Sequence, residues 1–338
     1  MLLAGNTCGE RVTEPEVLVD RMMAGDRRAL ARLMTLIECE DPDTGTVFAR
    51  LFRHVGRARR VGVTGPPGAG KSTLVGRMIR AIRAAGETVG VLAVDPSSPV
   101  SGGALLGDRL RMGELDDPAV FVRSMASRGS SGGLARQSLD LADLLDTFGR
   151  DWIFIETVGT GQNEIEVIHE SDIVLVVIHP GAGDSIQAMK AGLFEVGDVF
   201  AVNKADRSGA KALKSDLEWS FHLRESGAAP PVFLTSATED QGIDEVVAAL
   251  RERHEQMISG GTLREARLSR MKKRLHRHVG EAFDRHLSMD PEWKGLMENL
   301  AERVMNLEMD RYSAYDEVSE FLDRRTGRNK EQQGRSGE

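Results

Sequence analysis

The spacing of apolar positions changes twice along this chain. Up to about residue 57 it is helical. "TEPEVLVDRMMAGD" sets Val17, Leu18, Met22 and Met23 near one face, and "RRALARLMTLIE" follows with Leu30, Leu33, Met34 and Ile37. Asp26 stands where the second helix needs a cap. "DPDTG" interrupts the pattern and "TVFARLFRHV" resumes it, which predicts a helical arm over 1–57. From Arg60 short continuous apolar runs take over: "VGVTG", "TVGVLAVD", "WIFIET", "DIVLVVIHP", "VFAVNKAD" and "VFLTS". Helical patterns such as "GLARQSLDLADLLDTFG" and "KALKSDLEWSFHLRE" alternate with them. Strands of this kind alternating with helices predict an α/β fold, a parallel sheet covered on both faces, over 58–259. The block 260–326 reads as three charged helices, "REARLSRMKKRLHRHVGEAFDRHL", "PEWKGLMENLAERVMNLE" and "AYDEVSEFLDRR". They bury little core alone, so they pack on the sheet domain or on another chain. Residues 327–338 are polar and are expected to be a disordered tail.

Composition narrows the function more than the fold. The chain has 338 residues, 41% apolar and 28% charged, the balance of a soluble globular protein. Its formal net charge of −8 argues against a nucleic-acid partner held by bulk charge. Two cysteines, Cys8 and Cys39, make neither a disulfide framework nor a zinc signature. The first residues lack a signal-peptide pattern, and no apolar run approaches the ~20 residues of a spanning helix. The expectation is a cytoplasmic protein without a membrane partner.

The candidate chemistry starts at "GPPGAGKST", residues Gly65, Pro66, Pro67, Gly68, Ala69, Gly70, Lys71, Ser72 and Thr73. It fills G-x-x-x-x-G-K-[ST] between a strand and a helix. Backbone N–H groups of such a loop point at phosphates, Lys71 bridges them, and Ser72 ligates Mg²⁺. "NKAD" ends a later strand. The Asp206 carboxylate there can accept from both N1–H and N2–H of guanine, a donor pair that adenine lacks. Asn203 is expected to brace the loops, and Lys204 to lie over the base. "TSA", with Thr235, Ser236 and Ala237, fits a loop closing over the guanine from the other side. Together these predict GTP and GDP as the ligands.

Acidic residues at other strand ends complete the expected site. Glu156 follows "IFI" where phosphate-loop enzymes reach toward Mg²⁺, and Gly159 would offer its N–H to the γ-phosphate. Thr160, not Gln, follows Gly159, and Gln162 comes two residues later. Asp95 ends the strand of "VLAVD". The Ser/Gly-rich stretch after it reads as a switch segment carrying Asp108, Arg109 and Arg111. Asp95 and Asp108 could hold Mg²⁺ waters, and Arg111 could neutralise transition-state charge. "HPGAGDSIQAMKAG" suggests a second mobile element with Lys190, while a lone His179 reads as structural. The plainer alternatives are a salt-bridged residue in a buried strand for Glu156 and a solvated loop with surface charges for Asp108, Arg109 and Arg111.

With these motifs in view, the sequence resembles the MeaB/ArgK family of phosphate-loop GTPases. The resemblance rests on "GPPGAGKST", "VLAVDPSSPVSGGALLGDRLRM", "ETVGTGQNE", "HPGAGDSIQAMKAG" and "NKAD". It implies a GTPase chaperone for an adenosylcobalamin-dependent acyl-CoA mutase, such as methylmalonyl-CoA mutase, and a homodimer joined by C-terminal helices. It assigns Asp95, Asp108 and Glu156 to the magnesium site, and places Lys190 in a third switch loop that answers to the partner. Which acyl-CoA mutase is served stays open. Two other readings compete. A nickel-type metallochaperone GTPase would need a Cys/His relay, whereas Cys8 and Cys39 have no adjacent histidine. A small-molecule kinase would share the phosphate loop but not "NKAD".

Overall fold

The computed structural model describes residues 14–39, 41–96, 117–127, 131–157, 171–181, 193–222 and 229–326. Seven strands form one sheet: β1 (Arg59–Thr64), β2 (Val89–Pro96), β3 (Val120–Ser127), β4 (Trp152–Thr157), β5 (Ile173–Ile178), β6 (Val199–Val202) and β7 (Val232–Leu234). Their order is β3-β2-β4-β1-β5-β6-β7, and every pairing is parallel. Helices α1 (Pro15–Met23), α2 (Arg27–Glu38) and α3 (Thr44–Leu51) precede the sheet. Next come α4 (Lys71–Ala84), α5 (Ser131–Thr147), the single turn α6 (Leu193–Val196), α7 (Ala210–His222) and α8 (Ile243–Ser259). Three helices follow: α9 (Thr262–Ser288), α10 (Pro291–Met305) and α11 (Arg311–Thr326).

Strand alternation sorts the core into two layers. Val61, Val63, Val91 and Phe154 meet Leu74, Met78 and Ile79 of α4 and Val246 and Leu250 of α8 on one face. Leu92, Val94, Ile153 and Ile155 point to the other face, against Leu141 and Leu145 of α5. The N-terminal helices belong to that second layer. Leu18, Met22, Leu30, Leu33, Met34, Val47 and Leu51 share its core. Asp26 caps α2 as expected, accepting from the backbone N–H of Arg28 and Ala29. Val17 and Met23, read with the apolar face of α1, are about half exposed. Val19 is buried in their place, so the apolar face is rotated by part of a turn.

The sequence pattern did not reveal β3. Its run "VFVRSMAS" carries Arg123 and Ser124 at partly buried positions, as an edge strand with one neighbour can. Arg123 reaches Glu38 at the end of α2, with N–H···O distances of 2.9 and 2.5 Å.

The chain divides into two compact units, 1–267 and 268–338. In the first, Arg267 of α9 donates to the carbonyl oxygens of Gly56 and Ala58 and to both oxygens of the buried Asp172 carboxylate. The N–H groups of Gly56, Arg57 and Ala58 in turn donate to Asp146. The link into β1 is thus fastened on both sides of its backbone.

In the second unit Leu287, Leu300, Ala314 and Phe321 are buried, and Trp293 lies against Phe321 with ring centres 5.7 Å apart. Arg325 closes α11 onto Asp290 and Glu292. Along α9, Leu268, Met271, Leu275, Val279 and Phe283 recur at helical spacing and are 43–65% exposed. Among the described residues no helix is long and apolar enough to cross a membrane.

Candidate functional site

Because all seven strands run the same way, their carboxyl ends share one edge, where open α/β sheets bind ligands. Central β1 leaves that edge through residues 65–70 and enters α4 at Lys71. Two glycines in this turn are demanded by geometry. A Cβ on Gly65, at φ +141°, would lie 1.9 Å from the carbonyl oxygen of Val177. A Cβ on Gly70, at φ +87°, would lie 2.5 Å from Nδ2 of Asn203. The loop therefore lies directly against β5 and the residue that follows β6. Behind it, the first turn of α4 presents backbone N–H groups and the positive end of the helix dipole, a natural seat for phosphate.

The charged groups converge on this turn. Lys71 is buried, and its ammonium donates to the carbonyl oxygens of Gly65 at 2.9 Å and Pro66 at 3.1 Å. The hydroxyl of Ser72 donates to Oε1 of Glu156 at 2.6 Å. Register explains that pair: Glu156 sits in β4 between Val63 of β1 and Ala93 of β2, on the face that α4 covers. A hydroxyl and a carboxylate are hard oxygen donors of the kind Mg²⁺ takes beside phosphate oxygens and water. The residues fit that ion. Among the described residues no group of three or more His, Cys, Asp or Glu is assembled to hold a metal, so these two oxygens would form only part of its shell.

A second cluster follows β6. Asn203 donates from Nδ2 to the carbonyl of Ala69 at 2.8 Å. Its Oδ1 accepts from the N–H of Ala237 at 3.2 Å and the hydroxyl of Thr235 at 3.3 Å. One buried amide thus ties the phosphate loop to the loop after β7. Lys204, in a left-handed conformation at φ +59°, donates from Nζ to the carbonyl of Gly68 at 2.6 Å. Asp206 is exposed, and its Oδ1 accepts from the Ser236 hydroxyl at 3.1 Å. A carboxylate held at one oxygen, beside a lysine that spans the phosphate loop, is an arrangement suited to a purine with adjacent N–H donors.

Comparison with known proteins now decides the family. The family model described as "Methylmalonyl Co-A mutase-associated GTPase MeaB" matches residues 30–292. The chain belongs to the MeaB family. A protein of Pyrococcus abyssi, provisionally named a GTPase, is 43% identical over 307 residues, 89% of this chain and 94% of its own length. The mouse protein "Methylmalonic aciduria type A homolog, mitochondrial" is 32% identical over 298 residues, 81% of this chain and 72% of its own. A solved structure named as a LAO/AO transport system kinase superposes with a TM-score of 0.73 at 26% identity, covering 93% of this chain and all of that one.

This MeaB-family chain is therefore a GTPase, with the phosphate-loop fold that the strand pattern predicts. The structure brings together the loop from Gly65 to Thr73, Glu156, Asn203, Lys204, Asp206, Ser236 and Ala237. The backbone of Asp95 lies at the carboxyl end of β2, paired with Ala126 of β3 and one residue beyond the Val94–Thr157 pair. Asp108, Arg109, Arg111, Gly159, Gln162 and Lys190 lie outside the described residues. His179 contacts only its neighbour's carbonyl among the hydrogen bonds of the described residues, with Nδ1 2.8 Å from the Pro180 oxygen. Thr235, which the sequence places in "TSA", is fully buried and supports Asn203. One contributor was not singled out from the sequence. Gly242 closes the loop that carries Ser236. A glycine before a helix gives no hint of that role.

Proposed function

We propose that this chain is a GTP-hydrolysing chaperone for an adenosylcobalamin-dependent acyl-CoA mutase, methylmalonyl-CoA mutase or a related enzyme, gating cofactor loading and protecting or reactivating the mutase. The observation that carries it is the Asn203 brace between the phosphate loop and the Asp206–Ser236 pair, found in a chain whose family is described as mutase-associated. The name of the mouse relative, drawn from methylmalonic aciduria, supports the same client class.

In this reading Asp206 accepts from the guanine N1–H and N2–H, with Lys204, Ser236 and Ala237 around the base. Lys71 and the N–H groups of the loop hold the β- and γ-phosphates. Ser72 and Glu156, joined by Asp95 and Asp108, would hold Mg²⁺, which when bound neutralises phosphate charge. Hydrolysis is in-line attack of a water oxygen on the γ-phosphorus. The bond to the β-phosphate oxygen breaks, GDP leaves, and the water proton passes to the released phosphate. Lys71 stabilises charge accumulating on the leaving oxygen. Arg111 neutralises charge on the transferred group, and Gly159 donates its N–H to it. The segment around Lys190 answers to the bound partner.

Thr160 stands where small signalling GTPases carry their water-orienting Gln, so intrinsic turnover is expected to be slow. Adding the client mutase should raise it severalfold. Steady-state phosphate release with and without candidate cobalamin-dependent mutases checks this; fast turnover indifferent to every such mutase would overturn the chaperone reading.

The same reading makes the chain a homodimer. Its support is the apolar stripe from Leu268 to Phe283, an area that monomeric proteins rarely leave in water. Sedimentation should give twice the chain mass, and Leu275→Glu with Val279→Glu should give the monomer. A monomer before substitution would sink the dimer.

A further inference from the structure

The loop between β7 and α8 is closed more tightly than a surface connection needs to be. Ser236 and Gln241 face each other as an antiparallel bridge, with N–H···O distances of 3.0 and 3.1 Å in the two directions. Gly242 then turns the chain into α8 at φ +70°. A Cβ there would sit 2.1 Å from the carbonyl oxygen of Leu234 and 3.3 Å from Cα of Thr235. Two features therefore exclude a side chain: the left-handed backbone and the missing space.

That contact has a fixed side and a yielding side. Thr235 is tied into the sheet, donating to Val202 O at 2.9 Å and accepting from Ala205 N at 2.9 Å. Leu234 is paired in register with Val202. The start of α8 is held too, by Ile243, Val246, Val247 and Leu250 in the core. Between these anchors, the turn 236–241 is what gives way. It carries the Ser236 hydroxyl, which donates to Asp206, and the Ala237 N–H, which donates to Asn203.

We propose that the turn closed by Gly242 is a specificity-determining device: by fixing where Ser236 stands, it aims the Asp206 carboxylate at its ligand. Gly242 is a positioning residue and touches no ligand itself. The inference rests on Asp206 being the guanine acceptor, and the test separates the two claims.

The readout is equilibrium binding of GDP against IDP, whose base lacks the exocyclic amino group, measured by calorimetry with Mg²⁺ present. The unaltered protein should prefer GDP by about tenfold or more, because the second N–H reaches a well-aimed carboxylate. Gly242→Ala should bind GDP about tenfold more weakly and IDP less affected, narrowing the preference to below about threefold. Ser236→Ala should narrow it similarly with only a small fall in melting temperature, since it removes one donor and moves no backbone. A role confined to holding the fold would lower the melting temperature and leave the preference intact.

Asp206→Asn is run in parallel with XDP. If it gains no XDP binding, the guanine assignment itself fails. If it gains XDP binding while Ser236→Ala and folded Gly242→Ala both keep the tenfold preference, the aiming role is overturned and the guanine assignment stands. Should Gly242→Ala not fold, Ser236→Ala decides alone: an unnarrowed preference overturns the proposal.

Discussion

Lys71→Ala is expected to slow GTP hydrolysis by about 10²–10³-fold while leaving the chain folded. That is the loss seen when one preorganised donor is removed from a site where charge develops. Here the ammonium is buried at the first residue of α4 and sits within hydrogen-bond distance of two carbonyls of the phosphate loop. It is thus held within the loop, and little reorganisation is needed in the transition state. Alanine suits the helix start. Single-turnover phosphate release reads the rate, and thermal melting reads the fold. Turnover retained in a folded variant would mean that the phosphate loop is not the hydrolytic site.

Asp206→Asn is expected to weaken GTP binding on the order of 10²–10⁴-fold and to admit xanthosine triphosphate. Each hydrogen bond to the carboxylate contributes about 1.5–3 kcal/mol, and the substitution removes the acceptor for guanine N2–H and replaces it with a donor. Xanthine carries an oxygen at that position, so the amide meets it as a donor. The carboxylate is exposed and held through one oxygen by Ser236, so the change swaps recognition without leaving a buried charge unpaired. Calorimetric titration with both nucleotides reads the exchange. Unchanged GTP affinity in this variant would sink the guanine assignment.

Much of this architecture is legible before folding, and the reasons differ by element. β1, β2, β4 and β5 are buried on both faces, so their apolar runs are continuous and their ends carry motif residues in sequence order. The loop glycines, Lys71, Ser72 and Asn203 were readable because phosphate and guanine chemistry fix both residue type and spacing. β3 was not, since an edge strand tolerates Arg123 and Ser124. Arg267 lies in a run of charges that reads as a solvated helix face, yet it ends on the buried carboxylate of Asp172. Nothing local in either sequence segment announces a pairing across 95 positions. Gly242 is the sharpest case. In "EDQGIDE" it reads as turn punctuation, and only the 2.1 Å approach to Leu234 distinguishes it from a replaceable glycine.

The brace formed by Asn203 has a thermodynamic consequence. The same amide holds the loop that would grip phosphate and the loop that would cover the base. The two halves of the pocket thus stiffen together, and the free energy of ordering them is shared. A guanosine and a free phosphate, offered as separate molecules, should each raise the other's affinity by one and the same factor, as reciprocity requires. Cutting that crossbeam would turn a single cooperative pocket into two independent weak ones.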